Sequence, residues 1–405
     1  MDTRRVKMRK KEMRIFHVDF AKLGNDYIGG GETVMIEFIK YLVSRKIQNI
    51  ILTTDNGKEI YSKLGLIEGR YLSYKTIDTF NFELRHHKFI SYIQKTKKAI
   101  ELIRKLNLKE GDKVISYNEF FPNSIAMHFL SKRYKKIPIF FWIHMISPNI
   151  FKGFEGEFIN KLQFPKPKVI NYKLNQLLAV KLLPKKGKFI LNDPYYWKFF
   201  GKYLPHKKVY VIKNFGWADP GNFAKTKKEY DLVWAGRFHE QKGLFEIVDI
   251  LKRIKEKRKD VKLLLLGDGN KKIKKKLFEM IEKNNLNENI DYKGFIIGKE
   301  KDKLIKKCKI FMMTSYYEGL PLTISEITNL GIPIIAYDLP VFDVAEKGMT
   351  RVKIKDNKEF SEEIIRLLNE EDYYKLKVKE TKEYAKTHNK KVVGKEIFDN
   401  IILKS

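Results

Sequence analysis

The chain has 405 residues, too many for one ordinary domain and suited to two of about 150–200 residues each. Its composition, 43% hydrophobic and 13% aromatic, is globular and excludes a fibrous or low-complexity chain. The formal net charge is +33, and a single cysteine, Cys308, excludes an internal disulfide framework and a multi-cysteine zinc site.

The basic N-terminal stretch MDTRRVKMRKKEMRIFHV lacks the apolar run and cleavage site of a signal peptide. The longest apolar stretch, IPIFFWIHMISPNIF (137–151), is short for a membrane span and is interrupted by His144, Pro148 and Asn149. The expectation is a soluble cytoplasmic protein. Its charge is uneven: residues 1–210 hold 41 Lys+Arg against 18 Asp+Glu, and residues 211–405 hold 41 against 31. Within 121–210 the balance is 17 against 3, interleaved with FF, FFW and YYWKFF. Such a surface suits a polyanion, either nucleic acid or an anionic membrane face, and equally a plain lysine-rich solvated surface.

In chain order, RIFHVDF (14–20), NIILTT (49–54), KVISY (113–117), IPIFFWI (137–143) and KFILN (188–192) read as strands. Between the first two, a Gly-rich turn feeds a helix with apolar residues at Val34, Phe38, Ile39 and Leu42. The stretch VYVIKNFGWADPGNF (209–223) breaks the rhythm and places a domain boundary near 205–220. A second series follows: YDLVWAG (230–236), KLLLLGDG (262–269), IDYKGFI (290–296), IFMMTS (310–315) and IPIIAYD (332–338). Each precedes a helical pattern except the third, which precedes a short loop. The fold class is α/β: two doubly wound Rossmann-like domains with parallel sheets, facing a cleft where ligands bind at strand carboxyl ends. Cys308, at the edge of the strand run KKCKIFMM, reads as a buried inert thiol.

Four constellations carry chemistry. In AGRFHEQKG (235–243), Arg237 and Lys242 stand around a turn before a helix, a setting for an anion and for a diphosphate above all. LLLLGDGN is a strand ending in a sharp turn. In YKGFI, Gly294 and Phe295 offer backbone groups and an apolar wall to a nucleobase. In YYEGLPLTISE (316–326), Pro321 suits a first helical turn, and the helix closes at Gly331. The amides of Leu320, Leu322 and Thr323 then sit at the positive end of that helix, ready for phosphate oxygens. Carboxylates do not grip phosphate, but each accepts a forked pair of hydroxyl hydrogen bonds, so Glu318 and Glu326 suit sugars on either side.

The order of the Gly-rich loop 29–31, His144 after a strand, AGRFHEQKG, LLLLGDGN, YKGFI, and Glu318 with Glu326 resembles the retaining glycosyltransferases of the family 4 type, with the GT-B fold. The resemblance implies that Arg237 and Lys242 hold the donor diphosphate. It gives Glu326 the ribose, Glu318 the donor sugar, and the Gly294–Phe295 region the base. It also implies that Gly30 and Gly31 approach the donor phosphate or acceptor and that His144 lies near the reacting sugar. Asn214 marks the interdomain hinge. His86 and His87 receive no role, while Asn118 and Glu119 are candidates to face the acceptor.

The implied organisation is an acceptor-side domain over 1–208, a nucleotide-sugar domain over 209–380, and a C-terminal helix over 381–405 crossing back to the first domain. The donor is a nucleotide-diphosphate sugar, with no further cofactor and no metal site, since no Asp-x-Asp triplet occurs. The acceptor is a glycan, lipid-linked or glycolipid molecule of the cell envelope, reached with the basic aromatic region on the inner membrane face. Two alternatives stand beside this reading: a sugar-nucleotide epimerase or phosphorylase on the same fold, and a basic nucleic-acid-binding protein. The second lacks any recognised binding motif.

Overall fold

The computed structural model describes residues 13–21, 29–79, 88–144, 146–153, 162, 164–182, 187–192, 209–212, 216–221, 223–319, 321–344 and 349–405. Leu320, Asn214, Phe215, His86, His87, residues 1–12 of the basic N-terminal stretch and YYWKFF lie outside the described residues. The chain divides into two compact units, one of residues 1–150, 164–213 and 393–405, the other of residues 151–163 and 214–392.

The first unit carries a parallel sheet in the order β3-β2-β1-β4-β5-β6-β7. Its strands are β1 (Arg14–Asp19), β2 (Gln48–Thr54), β3 (Leu72–Ile77), β4 (Lys113–Ser116), β5 (Ile139–Ile143), β6 (Lys188–Leu191) and β7 (Val209–Val211). Helices α1 (Gly30–Ser44), α2 (Asp55–Lys63), α3 (Lys88–Arg104), α4 (Phe121–Arg133) and α5 (Pro167–Leu182) connect them. Every residue of β5, IFFWI, is buried, the continuous apolar run expected of a strand covered on both faces. On α1 the residues Val34, Met35, Phe38, Ile39 and Leu42 form the buried stripe.

The second sheet is also parallel, in the order β10-β9-β8-β11-β12-β13. It comprises β8 (Tyr230–Ala235), β9 (Leu263–Leu266), β10 (Ile290–Gly294), β11 (Cys308–Met313), β12 (Ile334–Tyr337) and β13 (Met349–Val352). Its helices are α6 (Glu246–Lys257), α7 (Lys271–Lys283), α8 (Gly298–Lys306), α9 (Leu322–Asn329), α10 (Asn357–Asn369) and α11 (Glu371–Thr387), with α12 (Lys390–Ile397) after them. Successive strand residues point to opposite faces, and both faces are covered. Leu232, Trp234, Leu263, Leu265, Ile310 and Met312 pack into one core. Val233, Leu264, Leu266, Phe311 and Met313 pack into the other. Residues 393–405 pack within the first unit, where Lys188 Nζ donates to Ser405 Oγ at 3.3 Å.

Three strands join those expected, and two local expectations are corrected. LSYKTI is a strand although it alternates polar residues, because it is the sheet edge and buries only its ends fully. VYV belongs to the first sheet, and MTRV adds a sixth strand to the second. The third strand of the second series does lead to a helix, α8, whose sequence GKEKDKLIK buries only Ile305 and so shows little apolar periodicity. Pro321 is the N-cap residue of α9 and stands just before its first turn. Cys308 is buried, and burial pushes its thiol up to about 12, as the inert reading requires. Among the described residues, no helix is long and apolar enough to cross a membrane.

Candidate functional site

In the second sheet the chain order reverses between β8 and β11, which lie side by side. Their exit loops diverge to opposite faces of the sheet, and such a switch point leaves room for a ligand at the strand ends. The β8 exit carries Arg237 and then a short 3-10 turn, Glu240–Lys242; the β11 exit carries residues 314–319. The two loops are tied by backbone. The Tyr316 amide donates to the Gln241 carbonyl at 2.9 Å, and Gln241 Nε2 donates to the Tyr317 carbonyl at 2.9 Å. Thr314 Oγ1 donates to the carbonyls of Lys242 and Gly243, while Trp234 Nε1 donates to Thr314 Oγ1 at 3.1 Å.

Gly243 closes this turn in the left-handed region, φ 59°. A Cβ there would stand 1.8 Å from the Thr314 carbonyl oxygen, so both conformation and contact demand glycine. Held this way, Lys242 Nζ meets Glu318 Oε1 at 2.6 Å. The Glu318 side chain is 8% exposed and that of Lys242 25%, so the pair is shielded from bulk water and only weakly screened. Arg237 is exposed at the mouth of the same loop.

Glu326 lies on α9 and pairs with Lys301 Nζ of α8 at 2.7 Å. The Leu322 and Thr323 amides open α9 ahead of its first backbone bond, Ile324 to the Pro321 carbonyl at 2.9 Å, and no side chain caps them. Gly294 ends β10 with φ 74°, and Phe295 and Ile297 beyond it are 66% and 63% exposed. Lys301 is absent from the sequence-derived site. Its only signal was position, one turn into a lysine-rich helix.

In the first unit, Gly30 and Gly31 are the first two residues of α1, behind the N-cap Gly29. Glu32 reaches back to the Gly29 amide at 2.8 Å. His144 follows β5, and its ring lies so close to Gly31 that a Cβ on Gly31 would sit 2.7 Å from His144 Cδ2. Thus the structure brings together Gly31 and His144, 113 positions apart in sequence. The ring is near-parallel to Tyr117 and tilted on Trp142. Asn192 Nδ2 donates to His144 Nδ1 at 3.1 Å, and Trp142 Nε1 donates to Asn192 Oδ1 at 2.7 Å. His144 Nε2 is buried and has no hydrogen-bond partner among the described residues. Burial lowers the His144 pKa to about 3, so the ring is neutral at ordinary pH.

Asn118 is engaged internally: its Nδ2 donates to Asp19 Oδ1 at 2.9 Å and its Oδ1 accepts from Asn123 Nδ2 at 2.7 Å. Glu119 accepts from Gln176 Nε2 at 2.7 Å and is 3% exposed. Burial pushes its carboxyl up to about 7. Both residues thus have partners within the first unit, just past the end of β4. Asp19, also missed in the sequence, closes β1 and binds Tyr61 and Asn118.

Residues 217–388 match the family described as glycosyl transferases group 1. An uncharacterized glycosyltransferase of Methanocaldococcus jannaschii is 37% identical over 114 residues, 28% of this chain and 27% of that protein. The amylovoran biosynthesis glycosyltransferase AmsD of Erwinia amylovora is 29% identical over 181 residues, 42% of this chain and 49% of that protein. The matched stretches thus span at most about half the length of these curated relatives. Among solved structures, TarM of S. aureus superposes with a TM-score of 0.74 at 14% identity, over 98% of this chain and 100% of that one. Anabaena HepE, solved with UDP and glucose, gives 0.70 at 16% identity, over 96% of this chain and 99% of that one. The fold is that of GT-B glycosyltransferases, two Rossmann-like α/β units.

Proposed function

We propose that this protein is a retaining glycosyltransferase of the family 4 type, moving a sugar from a nucleoside-diphosphate donor to a glycan, lipid-linked or glycolipid acceptor in surface polysaccharide synthesis. The observation that carries the reading is the Lys242–Glu318 pair at the switch point of the second sheet, inside the matched residues 217–388. A nucleoside diphosphate gains negative charge as it leaves the anomeric carbon. Lys242, Arg237 and the first amides of α9 are positive groups that oppose this charge as it grows. An ammonium has three donors, so Lys242 can keep Glu318 and still reach a phosphate oxygen. Glu318 then accepts hydroxyls of the transferred sugar, Glu326 accepts those of the ribose, and the exposed Phe295 faces the base. The cations of the site are side chains, so turnover needs no divalent metal in this reading.

The test is a panel of nucleoside-diphosphate sugars, UDP-sugars first because HepE was solved with UDP. Release of nucleoside diphosphate that needs an acceptor and survives EDTA is expected, with the anomeric configuration of the product retained by NMR. Donor consumption without any acceptor would instead favour an epimerase. Phe164, Ile170 and Leu174 are exposed, Phe164 at 95%, and are interleaved with Lys166 and Lys173. Cations among exposed apolar groups suit an anionic lipid surface, close to a lipid-linked acceptor. Flotation with phosphatidylglycerol vesicles that weakens with salt is expected; flotation indifferent to both lipid charge and salt contradicts it.

A further inference from the structure

Three side chains at the carboxyl ends of β5 and β6 form a chain of hydrogen bonds whose direction is fixed at one end. An indole nitrogen can only donate. Trp142 Nε1 lies 2.7 Å from the Asn192 amide, so the atom facing it must be the oxygen, Oδ1. That orients the amide, and the NH₂ group, Nδ2, faces His144 Nδ1 at 3.1 Å. A donor facing Nδ1 requires a lone pair there. In a neutral ring the hydrogen then sits on Nε2. This Nε2–H is buried and has no hydrogen-bond partner among the described residues. It lies beside Gly31 at the head of α1, where the first amides likewise have no intrahelical acceptor.

We infer that Asn192, oriented by Trp142, is a positioning residue that locks His144 in the Nε2–H tautomer, so that His144 donates a hydrogen bond to a hydroxyl oxygen of the bound sugar and cannot accept one. A buried donor left unmade costs the protein stability, and a native site tolerates one where a ligand supplies the acceptor. The assignment of the tautomer stands on the first unit alone; its consequence for turnover rests on the glycosyltransferase reading. The lock also accounts for the Asn that follows β6, since an apolar residue there would remove the acceptor facing Trp142 Nε1 and the donor facing His144 Nδ1. Tyr117 extends the same layer inward: its hydroxyl bonds His17 Nδ1 at 2.8 Å, and His17 Nε2 bonds Asn49 Oδ1 at 2.9 Å.

The decisive substitution is Asn192→Asp. A carboxylate keeps the bond from Trp142 but can only accept, so it draws the ring hydrogen to Nδ1 and bares Nε2. Nitrogen-resolved NMR of the histidine rings in the full chain, with His144 assigned by its absence in His144→Gln, reads this directly. The wild-type His144 should carry its hydrogen on Nε2, and Asn192→Asp should move it to Nδ1. Sugar transfer in that variant should fall about a hundredfold in kcat, while affinity for the nucleoside diphosphate alone stays as in the wild type. Trp142→Phe is the second variant: it frees the amide to turn over, and a mixture of tautomers is expected. A wild-type ring bare at Nε2 overturns the inference, as does a shifted tautomer with unchanged turnover. If no donor is turned over by the wild type, the enzyme reading fails, and the NMR measurement still decides the lock.

Discussion

The second unit assembles its candidate site from charges, the first from neutral groups. Lys242 meets Glu318 and Lys301 meets Glu326, each pair across neighbouring elements and each within 2.7 Å. In the first unit, His144, Asn192 and Trp142 are joined by directed hydrogen bonds among uncharged groups, and burial holds the ring neutral. The contrast follows from what each part is proposed to meet. A diphosphate is answered by cations, which act at a distance and tolerate imprecise placement. A sugar hydroxyl is answered by one donor in one direction, which requires a fixed ring and a fixed tautomer.

Substitutions in the ionic region are expected to have the largest effects on activity. Glu318→Gln and Lys242→Met should each lower transfer by about 10²–10³-fold in initial-rate measurements. The double variant should be far less impaired than the product of the two, because the side chains act as a unit. Near-normal turnover by both single variants would remove the ionic half of the comparison. Next come the two glycines that seat the two regions. Gly243→Ala faces a backbone oxygen in a left-handed turn, so its loss of stability in urea unfolding should exceed the roughly 1–3 kcal/mol of an overpacked site. Gly31→Ala faces the His144 ring rather than backbone. It should fall within that range and should displace His144.

Glu326→Ala touches only the ribose in this reading, so donor affinity should weaken by about tenfold with kcat held. An unchanged KM would separate Glu326 from the nucleotide. A further comparison is one of pH dependence. Glu119 holds its proton up to about 7 in the native state against 4.5 for a free carboxyl, so native protein binds more protons between these values. Its contribution to stability therefore falls as pH rises through that window and is level above it. His17 and His144, lowered to about 4 and about 3 by burial, contribute the opposite slope below 6.5. Glu119→Gln removes only the first contribution, so its melting temperature relative to wild type should rise from pH 5 to pH 7.5. A constant difference would show that Glu119 is ionised throughout.

Much of the second sheet was legible because its strands are apolar runs and its motif residues are close in sequence: Arg237 and Lys242 share one loop, Glu318 and Glu326 one strand-to-helix passage. What sequence could not supply was the pairing across loops. Nothing local marks Lys301 as the partner of Glu326, and Lys242 is 76 residues from Glu318. The first unit was less legible because its chemistry is tertiary. His144 drew notice as a lone histidine after a strand, yet its direction depends on Asn192, 48 residues away, and on a glycine in the first helix. The edge strand β3 and the helix α8 were hidden for a related reason, since each buries too few side chains to leave a periodic trace.

The most direct measurement is calorimetric titration of the full chain with UDP, GDP and ADP, comparing wild type, Lys242→Met and Asn192→Asp. One nucleoside diphosphate should bind the wild type, bind Lys242→Met at least tenfold more weakly, and bind Asn192→Asp with wild-type affinity. Equal affinity of wild type and Lys242→Met, or binding of none of the three, would contradict it.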